Sequence, residues 1–228
     1  MNFDHTYIVL FGKIFYEPVV ILTNAITTLL CIYCFLRLRK FRTELSNYWA
    51  WFFMLIGVSA CFGSMAHGVQ HQLGDTFLRT VVFMVNALSL VAIYFCFKAA
   101  NTYFFMNRSN KPYVTWLVIA WIVILLVITF VKNNFVLIKI HAGIVLLYSL
   151  VVHLITYFRK QPGSGIIAAG IIVSFLSILT HSIRLSFHEW FNYKDVSHVI
   201  MIISIIFIFV GAKLKMDNLS DERAYPAI

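Results

Sequence analysis

Residues 48–71 read YWAWFFMLIGVSACFGSMAHGVQH, and this stretch decides the fold. No charged side chain interrupts it between Tyr48 and Ala66. An uninterrupted helix of this length spans about 30 Å, the thickness of a bilayer's hydrocarbon core. Its second half is rich in small residues: Gly57, Ser59, Ala60, Gly63, Ser64 and Ala66. Small residues let helix backbones approach closely in lipid. The span is therefore expected to pack centrally and to carry His67 inward. His67 and His71 stand four residues apart, on one face of a helix. That spacing suits two ligands of one metal, and it equally suits two histidines at a wet helix end.

The same apolar pattern recurs along the chain. Spans are expected at about 18–36, 48–70, 79–99, 113–131, 135–157, 165–187 and 196–212. The fold class is all-α, an integral membrane bundle of seven transmembrane helices. Composition agrees: 61% of residues are hydrophobic and 12% charged, where soluble domains carry about 25% charged residues. Residues 1–16 are amphipathic and form an N-terminal interfacial segment. Residues 17–215 form the transmembrane domain, and 216–228 a polar tail. Glu17-Pro18 opens the first span, with proline in the first turn and a carboxylate at the positive end of the helix dipole. No signal peptide is evident at the N-terminus. Cys31, Cys34, Cys61 and Cys96 all fall in apolar spans, which argues against a disulfide framework.

The net charge of +9 does not point to nucleic acid, because the cations sit in short loops between apolar runs. They set orientation instead. Arg37, Arg39, Lys40, Arg42, Lys98, Arg108, Lys111, Arg159, Lys160, Lys213, Lys215 and Arg223 fall on one side. Lys13, Arg79, Lys132, Lys139, Arg184 and Lys194 fall on the other. Twelve against six makes the first side cytoplasmic. The N-terminus is then outside and the C-terminus cytoplasmic. In a bacterium the host membrane is the plasma (inner) membrane.

That orientation sorts the polar residues by depth. Glu17, His67, His71, Asp75, His141, His181, His188, Glu189, Asp195 and His198 all fall near the outer ends of their spans. Ionisable groups inside apolar helices are costly and usually functional. Asp195 and His198 share a face three residues apart, and Asp195 is also well placed to cap the last span. His181 and His188 share a face if span six continues that far. Lys139 is expected to snorkel to the interface.

Taken together, seven spans, a histidine after small residues and a serine in span two, and an acid-plus-histidine pair opening span seven resemble the alkaline ceramidase and adiponectin-receptor (CREST) superfamily. The segment Phe191-Asn192-Tyr193-Lys194-Asp195-Val196-Ser197-His198 is similar to one in bacterial membrane proteins. The resemblance implies zinc, held by one histidine of span two and two of span seven, with a serine and an acid completing the site. His67 matches the first ligand. Gly63 stands in the serine's place and Ser64 one step later. Span seven offers Asp195 and His198 in place of two histidines, so the further donor is His71 or His181, or else Asp195 itself ligates. Asp75 stands for the later acid.

The expectation is a zinc-dependent hydrolase of a lipid amide or ester. His67, His198, His71 and His181 are its candidate ligands, and Asp195, Asp75 and Ser64 its candidate catalytic groups. Its partner is membrane lipid as substrate, not nucleic acid. The alternative is a receptor, sensor or transporter with a histidine-lined polar cavity. A haem protein with facing histidines is a third reading. Retinal is disfavoured, because span seven has no lysine for a Schiff base.

Overall fold

The seven expected spans are seven helices in the computed structural model, which describes residues 6–69, 72, 74–104, 112–132 and 135–224. They are α1 (Pro18–Arg39), α2 (Glu44–Gly68), α3 (Asp75–Phe104), α4 (Pro112–Lys132), α5 (Phe135–Phe158), α6 (Ser164–Ile183) and α7 (Tyr193–Ala224). Each is long and apolar enough to cross a membrane. Several boundaries differ from those expected: α2 and α3 each begin four residues earlier, at Glu44 and Asp75. α3 reaches Phe104, α7 runs on to Ala224, and α6 stops at Ile183. α7 continues because Met216, where the polar tail was placed, is buried against the bundle. α6 stops because Arg184 turns left-handed, with φ 54°.

The described part of the N-terminal segment, residues 6–16, is not helical. Two strands, β1 (Tyr7–Leu10) and β2 (Lys13–Tyr16), pair antiparallel, with Tyr7 opposite Tyr16. Phe11 and Gly12 make the two-residue turn, both with positive φ, as the favoured hairpin turn requires. Gln72 Nε2 donates to the Ile14 carbonyl and ties the hairpin to the α2–α3 turn. The Glu17 amide donates to the Thr6 carbonyl at 2.8 Å and delivers the chain into α1.

Six helices form a ring in the order α1, α2, α3, α5, α6, α7, closed by contact of α7 with α1. α4 lies outside it, mainly against α3. Contacts along α3 and α5 advance together. Phe97 meets Tyr148, and Tyr103 meets His153. These two helices therefore run parallel. The same holds for α1 and α7, where Thr23 meets His198 and Tyr33 meets Phe209.

Small residues set the closest approaches, as expected for span two. A Cβ on Gly57 would stand 2.8 Å from Cys31 Cβ, and the Gly57 carbonyl accepts from Thr28 Oγ1 at 3.0 Å. The tightest seam joins α6 to α7. A Cβ on Gly211 would stand 2.7 Å from the Gly163 carbonyl oxygen and 2.9 Å from the Ile167 amide nitrogen. Nearby, Ser204 Oγ donates to the Gly170 carbonyl at 2.9 Å. Near the end where α1 finishes, His153 is fully buried between the rings of Trp49 and Tyr103.

Gly211→Val should force α6 and α7 apart. Overpacking of this kind costs roughly 1–3 kcal/mol. The check is the thermal midpoint of the purified variant in detergent, which should fall below that of the wild type.

Candidate functional site

The polar residues of one bundle end are organised by Glu17. Its backbone is left-handed, φ 48° and ψ 57°, with Pro18 as the first residue of α1. A non-glycine residue there is uncommon and strained. The side chain does not cap its own helix. It turns into the bundle, 3% exposed. Its Oε2 accepts from His67 Nδ1 at 2.7 Å and its Oε1 from Lys194 Nζ at 2.5 Å. One carboxylate thus ties the start of α1 to the end of α2 and the start of α7. Burial alone would raise the Glu17 pKa. The hydrogen bonds and charges of His67 and Lys194 outweigh it and hold the carboxyl down at about 2.

His198 lies one turn deeper on α7. The single Thr23 hydroxyl proton goes to the Val20 carbonyl at 3.1 Å. Thr23 Oγ1, 3.2 Å from His198 Nδ1, is therefore the acceptor of an Nδ1–H. The same reasoning gives His67 an Nδ1–H directed at Glu17. Both imidazoles then present Nε2 as their basic nitrogen. His181 is the reverse case. Lys139 Nζ stands 3.1 Å from its Nδ1. An ammonium can only donate, so the His181 ring proton sits on Nε2. Lys139 therefore reaches His181 rather than the interface expected for it. Glu17, His67, His181 and Lys194 all lie within electrostatic range of His198.

The other candidates are placed as follows. Asp195 Oδ2 accepts from the Asn192 amide at 2.9 Å, and Asn192 Oδ1 from the Lys194 amide at 2.9 Å. Together these cap α7. Asp195 Oδ1 is buried without a partner among the described residues. Ser64 Oγ donates to the Ile21 carbonyl at 3.4 Å, a link between helices rather than an oxyanion donor. Asp75 is exposed at the start of α3 and has no hydrogen bond or ion pair among the described residues. His188 does not share a helix face with His181, because α6 has already ended. His71 lies outside the described residues. Asn24, deeper on α1 and 3.5 Å from the Cβ position of Gly63, keeps a buried Nδ2 without a partner.

The arrangement bears on the expected zinc. Among the described residues, no three His, Cys, Asp or Glu side chains are placed to hold one ion. The tautomers explain why. His67 and His198 offer lone pairs, but His181 presents N–H, and the ammonium groups of Lys139 and Lys194 sit within the cluster. The residues described do not fit a three-ligand zinc site.

All of the arrangement except Glu17 falls within one matched segment of sequence. This chain belongs to DUF6962, a family of unknown function, whose model matches residues 19–217. No curated protein and no solved structure matches it. The family match covers His67, Lys194, Asp195 and His198 but begins two residues after Glu17.

The sequence places Glu17 among the outer-end polar residues but not as a candidate site residue, and it reads Lys194 as a loop cation. The signal that identifies both is shared depth: an acid before the first span and a lysine before the last.

Glu17→Ala should cost roughly 3 kcal/mol, the scale for removing one partner of a buried ion pair. The sign of the pH effect follows from a folded-state pKa below the ordinary glutamate value of 4.5. The carboxylate contributes fully above pH 4.5, and its contribution is lost as pH falls toward about 2. Thermal midpoints of wild type and Glu17→Gln should converge across that window and remain separated above it.

Proposed function

We propose that the chain is a multi-pass membrane protein, N-terminus outside and C-terminus cytoplasmic, acting as a non-enzymatic receptor, sensor or transporter with a histidine-lined polar cluster. Its site is the polar cluster at the outer bundle end. The observation that carries this reading is the Glu17 carboxylate held between His67 and Lys194. Each oxygen of that buried carboxylate takes one donor, so a ligand that engages His67 or Lys194 loosens the tie between α1 and its neighbours. A left-handed residue at the head of α1 is held in place by those contacts, so α1 is the element whose position such a ligand biases.

A ligand enters the same balance. The basic Nε2 atoms of His67 and His198 can accept from a ligand donor, and the ammonium groups can donate to a ligand oxygen. Among the described residues, Asp195 Oδ1 and Asn24 Nδ2 are a buried acceptor and a buried donor without a partner, and both add to what a polar ligand can engage.

The test uses purified protein in liposomes. The environment of a fluorophore attached near the head of α1 should differ from that of the wild type in both His67→Ala and Glu17→Gln, and identical signals in all three would overturn the reading. Elemental analysis should find no stoichiometric zinc, and the absorption spectrum no Soret band. One zinc per chain in the wild type, lost in both His67→Ala and His198→Ala, would instead return the protein to the metallohydrolase reading.

A further inference from the structure

Far from the histidine cluster, where α5 ends and α6 begins, the bundle surface holds a cavity of about 850 Å³. Ligand pockets commonly measure about 300–1,000 Å³. Leu154 and Tyr157 of α5 and Ile166, Ala169 and Ile172 of α6 supply apolar walls. The walls open sideways: Tyr157 is 55% and Ile172 49% exposed. Small residues on α6 create the space. A Cβ on Gly165 would stand 2.8 Å from the Tyr157 ring, so only glycine lets that ring lie against the helix.

The mouth of the crevice is cationic. Lys160 lines it, exposed, and its Nζ has no hydrogen bond or ion pair among the described residues. No lining residue is acidic. Gln161, also lining, accepts from the buried Lys215 Nζ at 2.6 Å, which sets a second ammonium behind the first. The first turn of α6 opens on Gly163 without a side-chain cap, so the positive end of that helix faces the same mouth. An apolar slot open to the side, with a positive mouth at the level where the helices end, matches one molecule in both chemistry and position.

We propose that this crevice binds one anionic phospholipid of the cytoplasmic leaflet. Its phosphate lies between Lys160 and the first turn of α6, and one acyl chain runs along Leu154, Tyr157, Ala169 and Ile172. The inference rests on the membrane reading given above.

The experiment is native mass spectrometry of the full chain released from detergent micelles. The probes are phosphatidylglycerol and phosphatidylcholine with identical acyl chains. One equivalent of phosphatidylglycerol should be retained in preference to phosphatidylcholine. Lys160→Glu should weaken that retention about tenfold, the scale for reversing one cation beside an anionic headgroup. Lys40→Glu, a charge reversal at the same bundle end outside the crevice, should leave it unchanged. Ala169→Trp, which fills the slot, should remove both lipids. If that variant elutes as an aggregate, Lys160→Glu alone decides. Equal retention of the two lipids, or equal losses in Lys160→Glu and Lys40→Glu, would overturn the proposal. Release of the protein from membranes by alkaline carbonate would instead overturn the membrane reading beneath it.

Discussion

A carboxylate removed from water needs opposite charge, and the head of this bundle is arranged around that need. Glu17 is almost wholly buried. Unpaired, it would be too costly to keep ionised. Its two oxygens take one donor each, from helices distant in sequence. That single requirement aligns three helix ends at one depth and fixes the proton of His67 on Nδ1. It also brings Lys194 over the site. The strained backbone at Glu17 belongs to the same account, because a right-handed residue there would direct the side chain elsewhere.

The seven-helix fold was legible in the sequence because its cause is local. Apolar runs of sufficient length, broken by Lys, Arg, Pro and Gly, are visible residue by residue. The close packing of α2 was legible as well, since its small residues, Gly57 among them, let a neighbouring backbone approach. Boundaries were less so. The stop after Ile183 depends on a left-handed Arg184, which no periodicity announces. The persistence of α7 to Ala224 depends on burial of Met216 by other helices.

The site was half legible. Depth sorting brought His67, His181, Asp195 and His198 to one end, and the structure gathers them there around Glu17 and Lys194. It could not show which nitrogen of each ring is occupied, because that depends on partners from remote segments. Thr23 gave no signal at all: a threonine in an apolar helix ordinarily bonds back to its own backbone, and Thr23 also does so. Asp75 shares the depth of the cluster and Ser64 lies one turn before His67, but Asp75 is exposed and Ser64 donates to the Ile21 carbonyl, so neither contacts Glu17 or Lys194.

The place of α4 has a consequence of its own. α3 and α5 touch side by side and point the same way, yet a chain leaving α3 emerges at the end opposite to the one where α5 must start. Something has to carry it back. α4 is that return stroke, which explains why it can stand outside the ring and remain indispensable. Its direction is what the connection demands, and without it every helix downstream would enter the bundle the wrong way round.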